Sequence, residues 1–319
     1  MRKSAKIWLA VGVIMIILGC VIFSGVAIST KGNFMAMFSG KLNSNEYEIT
    51  ESFSSISIDV ETADIRLVYS EAEKCSISVL EPKKVKHTAF VSDGKLTVSY
   101  DDERKWYERI GIFSSPKITI TLPKTEYDSL NINATTGNIT LPKDFSFNTI
   151  DISITTGNLN CSSSAVNSAV IEATTGNIKV ENADFGSVEI SLSTGNVLLS
   201  DINVEKNAAV KVTTGEAEIK NLNCKNFSST GSTGDLNLTN VIGSESLYAK
   251  RSTGDVELDG IDAPVIEIQT TTGDIEGSIL SPKTFTYSST TGSVKVPQNG
   301  DGGECMLTTT TGDVKIRIK

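Results

Sequence analysis

The chain predicts an all-β fold, a single-stranded parallel β-solenoid of about 19–20 residues per rung, set behind one N-terminal transmembrane helix. Three observations carry that prediction. A hydroxylated residue followed by Thr and Gly recurs ten times, with the glycines at 137, 157, 176, 195, 215, 234, 254, 273, 292 and 312 and spacings of 19 or 20 residues; a short unit repeated at fixed period is the mark of a solenoid. Apolar residues keep a constant offset from those glycines. Residues Ile7 to Ile28 form an uncharged, mostly apolar run.

Each rung reads as two short strands meeting at the Thr-Gly corner. Seven residues before the glycine stand Leu130, Ile150 and Val188, and five before it Ile132, Ile152 and Ile190; a step of two is a strand step. Two after it come Ile139, Leu159 and Val197, and four after it Leu141, Cys161 and Leu199. A lone hairpin of this size is marginal, so stability requires stacking, with parallel rungs pairing above and below. At roughly 4.8 Å per rung, nine steps make a rod of about 43 Å.

The corner glycines Gly137, Gly157, Gly176, Gly195, Gly215, Gly234, Gly254, Gly273, Gly292 and Gly312 are expected to be architectural, because a bend at positive φ excludes a Cβ. The Thr before each glycine has inward parity and is expected to satisfy corner amides through its hydroxyl. Three before the glycine, Ala134, Ile154, Ala173, Leu192 and Val212 give way to Gly231, Arg251, Thr270, Ser289 and Thr309. A buried Arg is costly unless paired, so Arg251 is expected to swing outward, with the cross-section changing near residue 230.

Residues 1–30 read as a cytoplasmic stub and anchor. The 22 residues from Ile7 to Ile28 reach about 33 Å as a helix, and Arg2, Lys3 and Lys6 before it, against Lys31 after it, place the N-terminus in the cytoplasm and the remainder outside. A signal cleaved near Ser24-Gly25-Val26-Ala27 is the rival reading, and Ile17-Leu18-Gly19-Cys20 partly resembles a lipid-attachment site. Residues 31–46 form a polar stalk. Residues 47–128 read as irregular rungs that cap the rod, with Ala63 in the place of a corner glycine and a charged insert at 101–115 whose Trp106 and Tyr107 make a candidate contact patch. Residues 129–319 hold the ten regular repeats. Gln298–Gly303 is a flexible loop by composition, and Lys315, Arg317 and Lys319 charge the last strand as a distal cap.

The chemistry of most enzyme classes is missing. His87 is the single histidine, and neither a metal-binding Cys pair nor a phosphate loop is present, so no catalytic residue, cofactor or dedicated metal site is expected. Core filling suits Cys75, Cys161, Cys224 and Cys305 better than a disulfide framework. Asn138, Asn158, Asn177 and Asn196 should stack as a ladder that continues through Glu216 to Asp235, Asp255 and Asp274, with Asp313 beyond. Those carboxylates are turn-bonded, hydrated, or the weak candidate for a cation column. A second ladder of hydroxyls, two before each glycine, faces outward. The formal charge of −9 excludes a basic nucleic-acid groove.

Units such as Thr135-Thr136-Gly137-Asn138-Ile139 and Ser252-Thr253-Gly254-Asp255-Val256, behind an apolar leader, resemble the bacterial family described as putative adhesins with β-strand repeats, over roughly residues 50 to 318. The resemblance implies a flattened β-solenoid, often behind one membrane helix or beside a sensor module, and assigns no residue a role. The leading expectation is a non-enzymatic, membrane-anchored surface scaffold or adhesin that contacts a cell-wall polymer or a neighbouring membrane protein. A sensory or accessory ectodomain of an envelope-stress or transport system is the alternative, and a carbohydrate-active enzyme the remaining one.

Overall fold

Apolar columns at fixed offsets from each corner leave the chain one way to bury them, by winding. The computed structural model describes residues 3–29, 42–105 and 115–319. An α-helix, α1 (Lys3–Ser29), is followed by an N-terminal block of seven strands: β1 (Leu42–Ile49), β2 (Ser55–Thr62), β3 (Asp64–Tyr69), β4 (Cys75–Pro82), β5 (Val85–Ser92), β6 (Lys95–Asp102) and β7 (Lys117–Leu122). The first repeats are β8 (Glu126–Thr136), β9 (Ile139–Leu141), β10 (Ser146–Thr156), β11 (Leu159–Cys161), β12 (Ser164–Thr175) and β13 (Ile178–Phe185). The middle ones are β14 (Val188–Thr194), β15 (Val197–Val204), β16 (Asn207–Thr214), β17 (Ala217–Thr233) and β18 (Leu236–Thr253). The last are β19 (Val256–Ile261), β20 (Val265–Thr272), β21 (Ile275–Ile279), β22 (Thr284–Thr291), β23 (Val294–Lys295), β24 (Glu304–Thr311) and β25 (Val314–Ile318).

Two parallel faces enclose one core. The segments before the corners pair in the order β2, β8, β10, β12, β14, β16, then the second halves of β17 and β18, then β20. Those after the corners follow β3, β9, β11, β13, β15, then the first halves of β17 and β18, then β19 and β21. Outside the outermost rung, the columns at seven and five before the glycine and two after it are buried, as the periodicity predicts; Ile132, Ile152, Ile171 and Ile190 are all at most 1% exposed. β17 and β18 run on through the bend that separates strands elsewhere, with a register shift between Cys224 and Asn226.

The corner itself shows why glycine is required. Gly195 has φ +132, and a Cβ there would sit 1.7 Å from the carbonyl oxygen of Gly176 one rung away. Ala63 takes that place in the first rung, where its N–H donates to the Thr136 carbonyl. A second corner, six residues after the glycine, also lies in the left-handed region: Asn182, Asp201, Asn221 and Asn240 have φ between 52° and 57°, and Gly260 has φ 69°. Asn and Asp tolerate that conformation better than other side chains. Beyond this corner a third strip pairs Ala183 with Ile202, Ile202 with Leu222 and Leu222 with Val241.

Several expectations are corrected. The Thr before each glycine is exposed, from Thr136 to Thr311, because the bend at the corner ends strand alternation and turns both hydroxyl residues outward. Arg251 points inward and is 1% exposed. Gly231 on the adjacent rung leaves the room: a Cβ there would lie 3.1 Å from the guanidinium carbon. The guanidinium donates to Ser229 Oγ at 3.0 Å and to the Lys250 carbonyl at 2.9 Å. Burial lowers its pKa to about 10, against the opposing pull of Asp235. The neighbouring hydroxyls in this column are used locally, Thr270 donating to the Gly254 carbonyl and Thr309 to that of Gly273.

The distal end also differs from expectation. β24 and β25 do not close the rod; they insert between β20–β21 and β22–β23, so β22 and β23 form the outermost rung. The 298–303 loop is tied down: buried Lys283 pairs with Asp262 at 2.6 Å and donates to the Gly302 carbonyl, while Asn299 Oδ1 accepts from the Phe285 N–H.

Candidate binding surface

The third strip forms the floor of an axial cleft of about 860 Å³. Phe145, Ala165, Phe185, Val204 and Cys224 are buried beneath it, and they fall on successive rungs, so about five rung steps between residue 145 and Ser244 give a length of about 24 Å. Ala165 and Gly186 are among its lining residues, and the rungs are close-packed at Gly186, where a Cβ would lie 2.3 Å from the Val166 carbonyl oxygen. One wall is a polar ladder: Asp184 N–H donates to Ser164 Oγ, Asn203 Nδ2 to Asp184 Oδ1 at 3.0 Å, and Asn223 Nδ2 to Asn203 Oδ1 at 3.1 Å. Lys143, Glu205 and Lys225 line it with mixed charge, and Val166 stands 60% exposed at its rim. Burial pushes the Cys224 thiol up to about 12, which keeps it protonated and unreactive at neutral pH.

The residues singled out from sequence lie elsewhere. In the Asn and Asp ladder each side-chain oxygen accepts from the backbone N–H one rung on: Asn158 Oδ1 from Asn177, Asp235 Oδ1 from Asp255 at 2.9 Å, Asp255 Oδ1 from Asp274 at 2.8 Å, and Asp274 Oδ1 from Asp313 at 2.7 Å. These side chains, and not the Thr hydroxyls, satisfy the corner amides. Among the described residues no group of three or more His, Cys, Asp or Glu side chains could hold a metal ion. Trp106 and Tyr107 lie outside the described residues, as does most of the stalk. Cys75, Cys161, Cys224 and Cys305 are free and buried, and Cys20 is free and exposed.

His87 is buried inside the N-terminal cap. Its Nδ1 lies 2.7 Å from Glu81 Oε2, which also accepts from the His87 N–H, while Asn45 donates to Glu81 Oε1 and the Tyr47 hydroxyl to the His87 carbonyl. The network joins β1, β4 and β5 and uses histidine structurally.

Reasoning from sequence missed both the second corner and the cleft. Their signal was present: Asn182, Asp201, Asn221, Asn240 and Gly260 all stand six residues after a corner glycine.

The model of the Toastrack DUF4097 family matches residues 53–221 and 206–319. The chain belongs to the Toastrack DUF4097 family. Solved structures similar to this Toastrack chain include a putative lipid binding protein from Parabacteroides distasonis, at 18% identity and TM-score 0.49, over 75% of this chain and 98% of that one. A putative adhesin from Parabacteroides merdae matches at 13% identity and TM-score 0.48, over 88% and 98% of the two chains. Another putative adhesin from Parabacteroides distasonis matches at 14% identity and TM-score 0.44, over 86% and 97%. No curated protein is similar enough to count as a match.

Proposed function

We propose that this protein is a non-enzymatic, membrane-anchored, extracytoplasmic binding module of adhesin or scaffold type, whose axial cleft holds an elongated ligand such as a cell-wall polymer strand. The observation that carries the reading is the cleft: a ligand lying along about 24 Å of it meets the same kinds of group rung after rung, polar on one wall and mixed in charge elsewhere. Repetition at a fixed pitch suits a repeating polymer better than a compact substrate.

The anchor rests on residues 7–28. Among the described residues no helix is long and apolar enough to cross a membrane; the anchor is read from the sequence, which carries no charge over the 22 residues from Ile7 to Ile28. The large apolar side chains that are described, among them Ile14, Ile17, Val21 and Phe23, are exposed, as in a helix whose partner is lipid. These exposed apolar side chains also favour a second reading, an accessory ectodomain whose helix packs against a neighbouring membrane protein.

Two measurements test these readings. Purified full-length protein in detergent micelles should sediment with isolated wall polymer, and Val166→Asp combined with Asn203→Arg, both at exposed cleft positions, should reduce retention at least about tenfold, the loss of roughly 1.4 kcal/mol or more. Retention unchanged by the double substitution would exclude the cleft. Cross-linked membranes in which an unrelated helix replaces residues 7–28 should lose a membrane-protein partner only if the second reading holds.

A further inference from the structure

The outermost rung leaves its core uncovered. In the column five before each glycine, Ile152, Ile171, Ile190, Ile268 and Leu307 are 0% exposed, yet Tyr287 in the same column is 52% exposed. Val294, whose counterparts Ile139, Val256 and Val314 are fully buried, is only half-buried, as is Val296. Among the described residues β22 pairs with β24 alone; the 298–303 loop covers the start of its outer edge, where Gly300 N–H donates to the Lys283 carbonyl and the Phe285 N–H donates to Asn299 Oδ1, and the edge from Tyr287 onward keeps its backbone N–H and C=O groups unpaired. Such edges are templates for another strand, and proteins usually blunt them with charge, proline or a bulge. Here the sequence is Thr-Phe-Thr-Tyr-Ser-Ser-Thr-Thr, with none of these. The edge strands at the other end do carry charge, Glu46 and Glu48 on β1 and Lys86 on β5.

We propose that this tip is a self-association site, in which β22 pairs antiparallel with β22 of a second copy about a two-fold axis through Tyr287. The register follows from the need to keep inward residues facing one shared core. Tyr287 then lies opposite its own copy, Thr286 opposite Ser288, and Phe285 opposite Ser289, where Asn299 Oδ1 gives up the Phe285 N–H to the partner strand. Within β22 no charge meets a like charge, so that strand is complementary to itself, which an isologous interface requires. An extended peptide from another protein would satisfy the edge hydrogen bonds but would not cover Val294 and Val296 on the second face. A second copy brings its own uncovered Tyr287, Val294 and Val296 to the same tip, so that both sets of apolar side chains are covered at once. If residues 7–28 anchor the chain as proposed above, the capped end adjoins the membrane through residues 30–41, and paired tips join proteins from two facing membranes.

The test uses the full-length chain in detergent micelles, with mass measured by light scattering over a concentration series. Wild type should shift from monomer to dimer as concentration rises. Tyr287→Lys should stay monomeric with its melting temperature retained, because the position is already solvent-exposed, and Phe90→Lys, at an exposed aromatic on β5, should dimerise like wild type. In a Cys20→Ser background, Tyr287→Cys should form a disulfide-linked dimer on mild oxidation, since opposed Cβ atoms across an antiparallel pair lie about 4.5–5.5 Å apart; Phe90→Cys should not. Wild type that remains monomeric at every concentration overturns the proposal, as does a dimer that survives Tyr287→Lys. Vesicles carrying the wild-type chain should aggregate and those carrying Tyr287→Lys should not. A micellar dimer without vesicle aggregation would keep the strand pairing and overturn the facing-membrane geometry that rests on the anchor.

Discussion

At the N-terminal end of the rod the chain reverses direction to cover its core, whereas at the distal end it only reorders its rungs. β5 folds back antiparallel on β6 through a tight Asp93-Gly94 turn with φ of 52° and 72°, the positive-φ pair that two-residue hairpins favour. β4 lies antiparallel between β1 and β7, and the Glu81–His87 network ties the covering strands together. The result buries Leu96 and Val98 completely. At the distal end every pairing remains parallel, and the insertion of β24–β25 beneath β22–β23 moves the uncovered rung without removing it. A parallel stack always presents one more edge; only a change of direction or a partner ends it.

The largest effect that separates middle from tip is expected at the corner glycines. Gly195→Val should cost more than about 4 kcal/mol, since backbone strain and a clash with the next rung's carbonyl act together. Gly292→Val should lower hydrogen-exchange protection in β22–β23 alone, because an outermost rung can peel without breaking the stack. Equal losses of global stability in denaturant titrations would show that the tip is not an independent unit.

Breaking the cap comes next. His87→Ala leaves the Glu81 carboxylate buried without its ring partner, and a loss of about 2–3 kcal/mol is expected, with exchange accelerated first in β5 and β6. Uniform acceleration along the rod would argue against a separable cap. Arg251→Ala should cost about 2–3 kcal/mol through the cavity it opens beside Gly231, whereas Arg251→Met should stay within about 1 kcal/mol of wild type, because it fills the space without burying a cation.

A pH titration offers a smaller test at the distal end. The Ser293 backbone N–H and Lys315 hold the partly exposed Asp313 carboxyl down at about 2. A carboxylate depressed in the folded state stabilises it above the ordinary value near 3.9, and that contribution is lost as the pH falls from there through about 2. Protection of the Ser293 amide should decline over that window, and Asp313→Asn should abolish the decline; the same acid profile in both proteins would assign it to other groups. The smallest effect is expected for Asn196→Ser, at about 0.5 kcal/mol by melting, because the exposed ladder position loses one bond to the Glu216 N–H.

Period and offset made the rungs, their parallel stacking and the inward columns legible, as Ile132 through Ile268 illustrate. Parity failed at the Thr of each corner because alternation holds only while the strand stays straight. Arg251 was misjudged because the decisive residue, Gly231, is twenty positions away in sequence and adjacent only after winding. The cleft is not legible for a similar reason: its lining residues, from Phe145 through Asp184 to Cys224, lie on different rungs and meet only after winding.

Local rules therefore decided what repeats. A corner glycine cannot accept a Cβ, an apolar column must be buried, and an Asn or Asp can cap an amide, and each of these is a property of one rung and its copy. Tertiary structure alone decided what does not repeat: the antiparallel cap, the insertion of β24–β25 out of sequence order, the inward Arg251 and the uncovered Tyr287. These depend on which rung lies next to which, and that neighbour relation is set by the free energy of closing the ends, which no single repeat contains.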